Sequence, residues 1–113
     1  MKELTLYIRP EKLEQVKRIL VDDYHCGGMT VINVMGCGNQ KGFDREYVGI
    51  KTSVNLLPKL KVEVLVEDGQ AEAVISQICG QLSTGTVGDG KILVKEVKDV
   101  IRIRTGERGD AAV

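Results

Sequence analysis

The feature that most constrains the fold of this 113-residue chain is a strand-helix-strand pattern that occurs twice, before and after one long polar stretch. Alternating or β-branched apolar runs predict four strands, over residues 4–8, 29–35, 60–66 and 92–97. Apolar residues at helical spacing predict two helices, over residues 10–20 and 71–82. The polar stretch, residues 39–55, is long for a loop in a small domain; such loops are usually functional or disordered, or they contain an unrecognised element.

The order of these elements predicts an α+β fold. Two β-α-β units joined by a loop form the split arrangement of ferredoxin-like domains (βαββαβ), in which two helices cover one face of a single sheet. The length of the chain fits a single domain, residues 1–113. Valine and isoleucine also fall on the other face of the sheet, so we expect that face to pack against other subunits.

The composition argues against several classes of function. Sixteen basic and sixteen acidic residues give a formal net charge of zero, and aromatic residues make up only 4%, so direct nucleic-acid binding is not expected. No apolar run suits membrane insertion or a signal peptide, which predicts a cytoplasmic protein. Three cysteines without a CxxC pair predict reduced thiols, and no grouping of Ser, His and acidic residues suggests an enzyme.

Two segments carry residue types that suit anion binding. Residues 85–91 include three glycines and end in Lys91, a pattern that fits a triphosphate cradle and equally a plain helix-to-strand connection. Arg102 and Arg104 are two positions apart in an alternating run, so both would lie on one face of an extended segment. There they would either bind phosphate or protect a solvent-exposed edge strand.

Five further residues have a functional or a plain structural interpretation. Gln40 suits a hard cation beside phosphates, although any polar loop would look similar. His25 and Cys26 suggest a metal site, but with no second histidine they are more typical of an exposed turn. Cys37 lies between two glycines and is expected to be exposed and open to reaction, whereas Cys79 falls on the apolar helix face and is expected in the core.

Five segments together resemble one known family. They are residues 28–31 (GMTV), 36–42 (GCGNQKG), 57–64 (LPKLKVEV), 84–92 (TGTVGDGKI) and 102–107 (RIRTGE). In this order they are similar to the nitrogen-regulatory signal proteins of the PII (GlnB/GlnK) family. The resemblance implies a homotrimer of ferredoxin-like subunits, with a T-loop at about residues 38–55, a B-loop at about 84–91 and a C-terminal loop at about 102–113.

The resemblance also implies the ligands. ATP or ADP would bind in clefts between subunits, and the effector 2-oxoglutarate would bind beside ATP through Mg²⁺. It assigns four residues to the base and ribose of the nucleotide, namely Thr30, Gly36, Gly38 and Leu65. It assigns Gly88, Asp89, Gly90 and Lys91 to the phosphates, which Arg102 and Arg104 would reach from a neighbouring subunit. The residues that it assigns to 2-oxoglutarate are Gln40, Lys41, Gly42, Lys59 and Gly88, with Gln40 also on the Mg²⁺.

The T-loop of this family reports the ligand state to a target protein, which for this chain would be an ammonium transporter, an enzyme or a transcription factor. Three positions depart from the family pattern. Thr52 stands where a tyrosine is uridylylated, Val48 where an arginine enters an ammonium channel, and Thr86 where a lysine or arginine is common. These departures keep an alternative open: a trimeric PII-like protein that binds a metal or another small ligand, with altered targets and no uridylylation.

Overall fold

The computed structural model of the chain describes residues 1–37 and 56–113, and within them four strands form one antiparallel sheet. The strands are β1 (Lys2–Ile8), β2 (Met29–Gly36), β3 (Leu57–Val66) and β4 (Lys91–Glu96), in the order β2-β3-β1-β4. Helix α1 (Leu13–Lys17) lies between β1 and β2 in the chain, and helix α2 (Asp68–Leu82) between β3 and β4. The predicted split α+β arrangement is confirmed, because each β-α-β unit holds one strand of the other unit between its own two strands.

Alternating apolar residues hold the sheet in register and face the helices. Leu6, at the centre of β1, lies opposite Val62 of β3 on one side and Ile92 of β4 on the other. A slip of one residue would turn this row to the opposite face, so burial fixes the register. The buried core consists of Leu4, Leu6, Ile8, Leu60, Val62, Val64 and Val66 from the strands and Val16, Ile19, Leu20, Ala71, Val74, Ile78 and Leu82 from the helical segments.

Helix α1 is the middle part of a longer helical segment. A 3-10 turn (Pro10–Lys12) precedes it, and a π-helical turn (Arg18–Asp23) follows it, so the helix predicted over residues 10–20 is present and continues beyond its predicted end. The π turn contributes two adjacent, fully buried residues to the core, Ile19 and Leu20. No helix in the described part of the chain is both long enough and apolar enough to cross a membrane.

Helix α2 buries the predicted face, with one correction. Ala71, Val74, Ile78 and Leu82 are buried, whereas Cys79 is exposed. With 3.6 residues per turn, Cys79 lies about 100° around the helix from Ile78, at the border of the buried face. The prediction that Cys79 belongs to the core is therefore wrong.

The sheet face that points away from the helices mixes apolar and charged side chains. Strand alternation and register place Thr5, Ile32, Glu63 and Leu65 on this face. Thr5 is fully buried, and its Oγ1 has no hydrogen-bond partner among the described residues. Packing of this face against other subunits stays a prediction.

The chain after β4 does not extend in the predicted way. Ile101 forms an isolated bridge with Arg108, and between them the amide of Gly106 donates to the carbonyl of Arg102 at 2.7 Å. Gly106 has a φ of +74°, a conformation that reverses the chain and that glycine adopts without strain. Arg104 consequently lies in a turn, and the expectation that Arg102 and Arg104 share one face of an extended segment is wrong.

Gly90 packs directly against β1 and leaves no room for a side chain. Its φ is +108°, and a Cβ built on it would overlap the carbonyl oxygen of Tyr7. We expect Gly90→Ala to destabilise the fold by more than about 3 kcal/mol, because the methyl group would push the start of β4 away from β1. The shift of the urea unfolding midpoint at fixed protein concentration measures the loss.

Gly85→Ala is the matched control for this substitution. Gly85 also has a positive φ, +77°, but no atom lies within 4 Å of a Cβ added there. Its expected cost is only the strain of the left-handed conformation, about 1–2 kcal/mol. Equal midpoint shifts for the two variants would contradict the steric argument.

Candidate functional site

A pocket of about 440 Å³, here called the first pocket, opens where β1 and β2 end and β3 and β4 begin. Because neighbouring strands run antiparallel, the ends of β1 and β2 and the starts of β3 and β4 lie at the same edge of the sheet. The walls are Tyr7, Val34, Met35, Gly36, Cys37, Lys59, Val87, Gly88, Gly90 and Lys91. Five residues that the family resemblance assigns to ligands are thus brought together, namely Gly36, Lys59, Gly88, Gly90 and Lys91.

The connection from α2 to β4, residues 84–90, forms one side of this pocket and is here called the glycine loop. The carboxylate of Asp89 accepts hydrogen bonds from the hydroxyl of Thr84 and from the amides of Thr84, at 2.7 Å, and Gly85, at 3.1 Å. These bonds, together with the nearby Arg9 guanidinium, hold the pKa of the Asp89 carboxyl below its usual range. The carboxylate of Asp89, a residue predicted at the nucleotide, therefore faces the amides of its own loop.

Arg9 is a residue that sequence reasoning missed. Its guanidinium donates to the carbonyl of Val87 at 3.0 Å and to the hydroxyl of Thr86 at 3.2 Å, and it lies 3.3 Å from the carboxylate of Asp89. The signal for it is indirect: Arg9 directly follows β1, and the glycine loop directly precedes β4, which the structure pairs with β1. A basic side chain at the end of β1 must therefore lie beside that loop.

Two lysines give the first pocket a positive charge. The ammonium of Lys59 donates to the carbonyl of Gly88 at 3.1 Å, and Lys91 lines the pocket beside it. Neither lysine forms an ion pair with a residue that the structure describes. Gly36 makes room for Lys59, since a Cβ there would lie 3.0 Å from the Lys59 Cγ. Two uncompensated cations beside glycine amides form an environment suited to an anionic ligand.

A second cleft, of about 350 Å³, lies on a different part of the chain. It is lined by Glu3, Gly27, Gly28, Thr30, Glu63, Val64, Leu65 and Val113. Thr30 and Leu65, which the family resemblance assigns to the base and ribose, are therefore together in this second cleft. They do not line the first pocket.

Arg102 is associated with the second cleft through the end of the chain. Its guanidinium donates to the side chain of Glu107 at 3.2 Å and to the carbonyl of Val113, a lining residue, at 3.3 Å. Arg104 is exposed in the turn that follows. Of the two arginines predicted to reach a phosphate, the structure thus puts Arg102 beside the residues predicted to hold the base.

The two sites lie at opposite ends of the β2-β3 pair. Thr30 and Gly36 are six residues apart on β2, which corresponds to about 20 Å along an extended strand. Within one chain, Thr30 and Leu65 are therefore well separated from Gly36, although all three are predicted near the base and ribose, and from the residues predicted at the phosphates. The remaining predicted residues, Gly38, Gln40, Lys41 and Gly42, and the T-loop at 38–55 lie outside the described residues.

The proposed metal ligands of the alternative interpretation are not brought together. Among residues 1–37 and 56–113, no group of three or more His, Cys, Asp or Glu side chains is arranged to hold a metal ion. Burial raises the pKa of the Cys26 thiol, which keeps it protonated at neutral pH. Cys37 is exposed, as predicted, at the rim of the first pocket.

Comparisons with known proteins cover the whole chain. The family model described as "Nitrogen regulatory protein P-II" matches residues 1–107. "Nitrogen regulatory protein P-II 2" of Methanothermobacter thermautotrophicus is 47% identical over 113 residues, which are 100% of this chain and 97% of the relative. "Nitrogen regulatory protein P-II" of Nostoc punctiforme and "Nitrogen regulatory protein GlnK" of Escherichia coli are 47% and 46% identical, each over the full length of both chains.

The low pKa of Asp89 predicts how stability depends on pH. Asp89→Asn is expected to lower the melting temperature at neutral pH, because the loop uses both carboxylate oxygens as acceptors and an amide has only one. The folded-state pKa lies below the unfolded value of about 3.9, so the stabilisation is complete above about pH 4 and is lost as the pH falls through the folded-state pKa.

The measurement is the difference in melting temperature between the wild type and Asp89→Asn across this range. We expect the difference to be constant from about pH 7 to 5 and to shrink below about pH 4. Asp22→Asn, at an exposed position, is the control and should show no difference. If the difference in melting temperature stayed unchanged down to about pH 2.5, the Asp89 carboxylate would not close the loop in solution.

Proposed function

The chain belongs to the family of nitrogen regulatory proteins P-II, and from this premise we propose that it is a homotrimeric sensor of ATP or ADP and of 2-oxoglutarate. The nucleotide binds between two subunits, with its phosphates in the first pocket of one and its base in the second cleft of the next. The separation of about 20 Å between these two half-sites within one chain is the observation that carries the proposal. One nucleotide can use both only if two chains contribute.

The first pocket has the chemistry that the phosphates require. Lys91 supplies positive charge, and Gly88 and Gly90 allow a close approach of phosphate oxygens to the backbone. The second cleft, which Gly28 and Leu65 help to line, supplies space for the base, and Arg102 lies beside it. The negatively charged phosphates therefore suit the positively charged first pocket, and the aromatic base suits the partly apolar second cleft.

The effector would bind next to the nucleotide phosphates. Lys59 pairs with the distal carboxylate of 2-oxoglutarate, and to do so it gives up its hydrogen bond to the Gly88 carbonyl. Gln40 would hold a Mg²⁺ ion, which would supply positive charge for the effector and for ATP. This exchange would couple the effector to the glycine loop, because Gly88 belongs to both.

Ligand state would reach a target protein through residues 38–55. Gly36 and Cys37 line the first pocket and lead directly into that segment. A ligand can shift the conformation of the segment only by binding one conformation more tightly than another, and Gln40 supplies such a difference. The target in the cytoplasm is an ammonium transporter, an enzyme or a transcription factor, regulated by protein contact and not by catalysis.

The first test is the linkage between the ligands. We expect 2-oxoglutarate to bind measurably only when Mg-ATP is present, because the metal joins the two ligands. Gln40→Ala should abolish 2-oxoglutarate binding and leave ATP affinity within about threefold, since ATP keeps its contacts in both half-sites. Isothermal titration of each ligand in the presence and absence of the other measures both effects. Equal affinity for 2-oxoglutarate with and without Mg-ATP would contradict the linked mechanism.

The second test asks whether one site uses two chains. Lys91→Met damages the first pocket and Arg102→Met damages the second cleft, so each variant alone should lose most ATP binding. In a trimer that contains both variants, one interface pairs an intact first pocket with an intact second cleft. Co-expressed, doubly tagged mixed trimers should therefore recover about one ATP site each, measured by equilibrium dialysis against singly mutated trimers.

The outcomes of the mixing experiment separate the alternatives. Wild-type trimers prepared with the same two tags control for the effect of co-expression. Mixed trimers that bind no more ATP than the single variants would show that each site is built within one chain. A particle with the mass of a single subunit would remove the basis of the proposal.

A further inference from the structure

We propose that Arg9 is a positioning residue for phosphate binding: it fixes the shape of the glycine loop and does not itself contact the ligand. The inference rests on the proposed function, since it concerns the phosphate half of that site. Arg9 lies one residue beyond β1 and is not among the residues that line the first pocket. Its effect on a ligand in the pocket must therefore pass through the loop.

The guanidinium contacts three successive parts of the loop within four residues. It donates to the hydroxyl of Thr86 and to the carbonyl of Val87, and it pairs with the carboxylate of Asp89. The planar guanidinium, with several N–H donors in a fixed arrangement, suits these three acceptors because it can bind all of them in one geometry. An ammonium group at the same position is a single point of charge and cannot fix three acceptors in the same way.

The contact with the Val87 carbonyl determines where the next amide points. In a trans peptide the carbonyl and the N–H of the following residue point in opposite directions. Because Arg9 holds the carbonyl of Val87 on its own side, the N–H of Gly88 is directed away from Arg9. Val87 and Gly88 both line the first pocket, so this is the amide that an anion in the pocket would meet.

Other contacts fix the rest of the glycine loop, so Arg9 mainly orients the peptide between Val87 and Gly88. Asp89 closes the start of the loop through Thr84 and Gly85, and Gly90 anchors its end against β1. Lys59 holds the carbonyl of Gly88 from the β3 side. Between these anchors, the Val87–Gly88 peptide is oriented by Arg9. The guanidinium also pairs with the Asp89 carboxylate, which would otherwise repel a phosphate.

The test compares ligands with and without phosphates in three variants. Arg9→Met removes the hydrogen bonds, Arg9→Lys keeps the charge without the planar guanidinium, and Arg18→Met makes the same change at an exposed arginine on the helical segment. Affinities for ATP and for adenosine, measured by competition against a labelled nucleotide, and the melting temperature are recorded for each variant and for the wild type.

We expect Arg9→Met to weaken ATP binding roughly tenfold and to leave adenosine binding unchanged, because only the phosphates meet the loop. Arg9→Lys should fold as the wild type does and weaken ATP binding about threefold. Arg18→Met should match the wild type for both ligands. Because Arg9→Lys retains the charge, it decides the question if Arg9→Met does not fold.

The contrary results are distinct from one another. If Arg9→Met binds ATP as tightly as the wild type does, the inference is overturned and the proposed function stands. If Arg9→Met does not fold, wild-type ATP affinity in Arg9→Lys has the same meaning. An equal loss for ATP and adenosine, with a lowered melting temperature, also overturns it, because Arg9 would then have a purely structural role. A wild-type protein that binds no ATP contradicts the proposed function, and the inference fails with it.

Discussion

The fold and the first pocket both depend on the backbone contact between Gly90 and Tyr7. This contact lies beside the last pair of the β1-β4 ladder, Tyr7 and Lys91, and it leaves no space for a side chain at position 90. The same residues line the pocket. The position of β4 in the sheet and the position of the glycine loop at the first pocket are therefore set by one steric requirement. A change that loosened the sheet at this end would displace the pocket wall with it.

The distribution of charge around the pocket follows from how the loop is closed. Asp89 is the acidic residue of the glycine loop, and its carboxylate is occupied by two amides, a hydroxyl and Arg9. Among the described residues, the hydrogen-bond acceptor of Lys59 is the neutral carbonyl of Gly88, and Lys91 has no ion-pair partner. The chain has no net charge, yet the pocket is locally positive. The negative charge of Asp89 is thus compensated by its own loop and by Arg9. The positive charges of Lys59 and Lys91 remain available to an anionic ligand.

Secondary structure could be predicted from the sequence where a local pattern of apolar residues determines it. Period-two alternation gave β3, and the helical spacing of Ala71 to Leu82 gave most of α2, because burial of one face enforces each pattern. Cys79 was misplaced because a helix face has a border that spacing alone does not locate. The run around Arg102 alternates like a strand, but a backbone reversal at Gly106 overrides that pattern.

Residues of the candidate site can be grouped from sequence where a glycine pattern marks them, but not where a contact crosses the sheet. Gly88, Gly90 and Lys91 lie in one recognisable segment, and the structure brings them together with Lys59. Arg9 has no motif of its own, and its importance appears only when β4 is known to pair with β1. Thr30 and Leu65 share the second cleft because β2 and β3 are neighbours, which the split arrangement predicts but a list of motifs does not.

The state of Arg102 makes a two-chain site energetically reasonable. Its guanidinium is paired with Glu107, and the two side chains are 34% and 45% exposed, so solvent screens the pair and its strength is low. A triphosphate presents several charged oxygens, and at an interface between subunits these are screened less than Glu107 is in water. In the proposed two-chain site, exchange of Glu107 for phosphate is therefore favourable once the second chain excludes solvent from the cleft. The isolated chain thus keeps Arg102 near the second cleft at little cost in free energy, and the strong interaction would become available only in the proposed assembly.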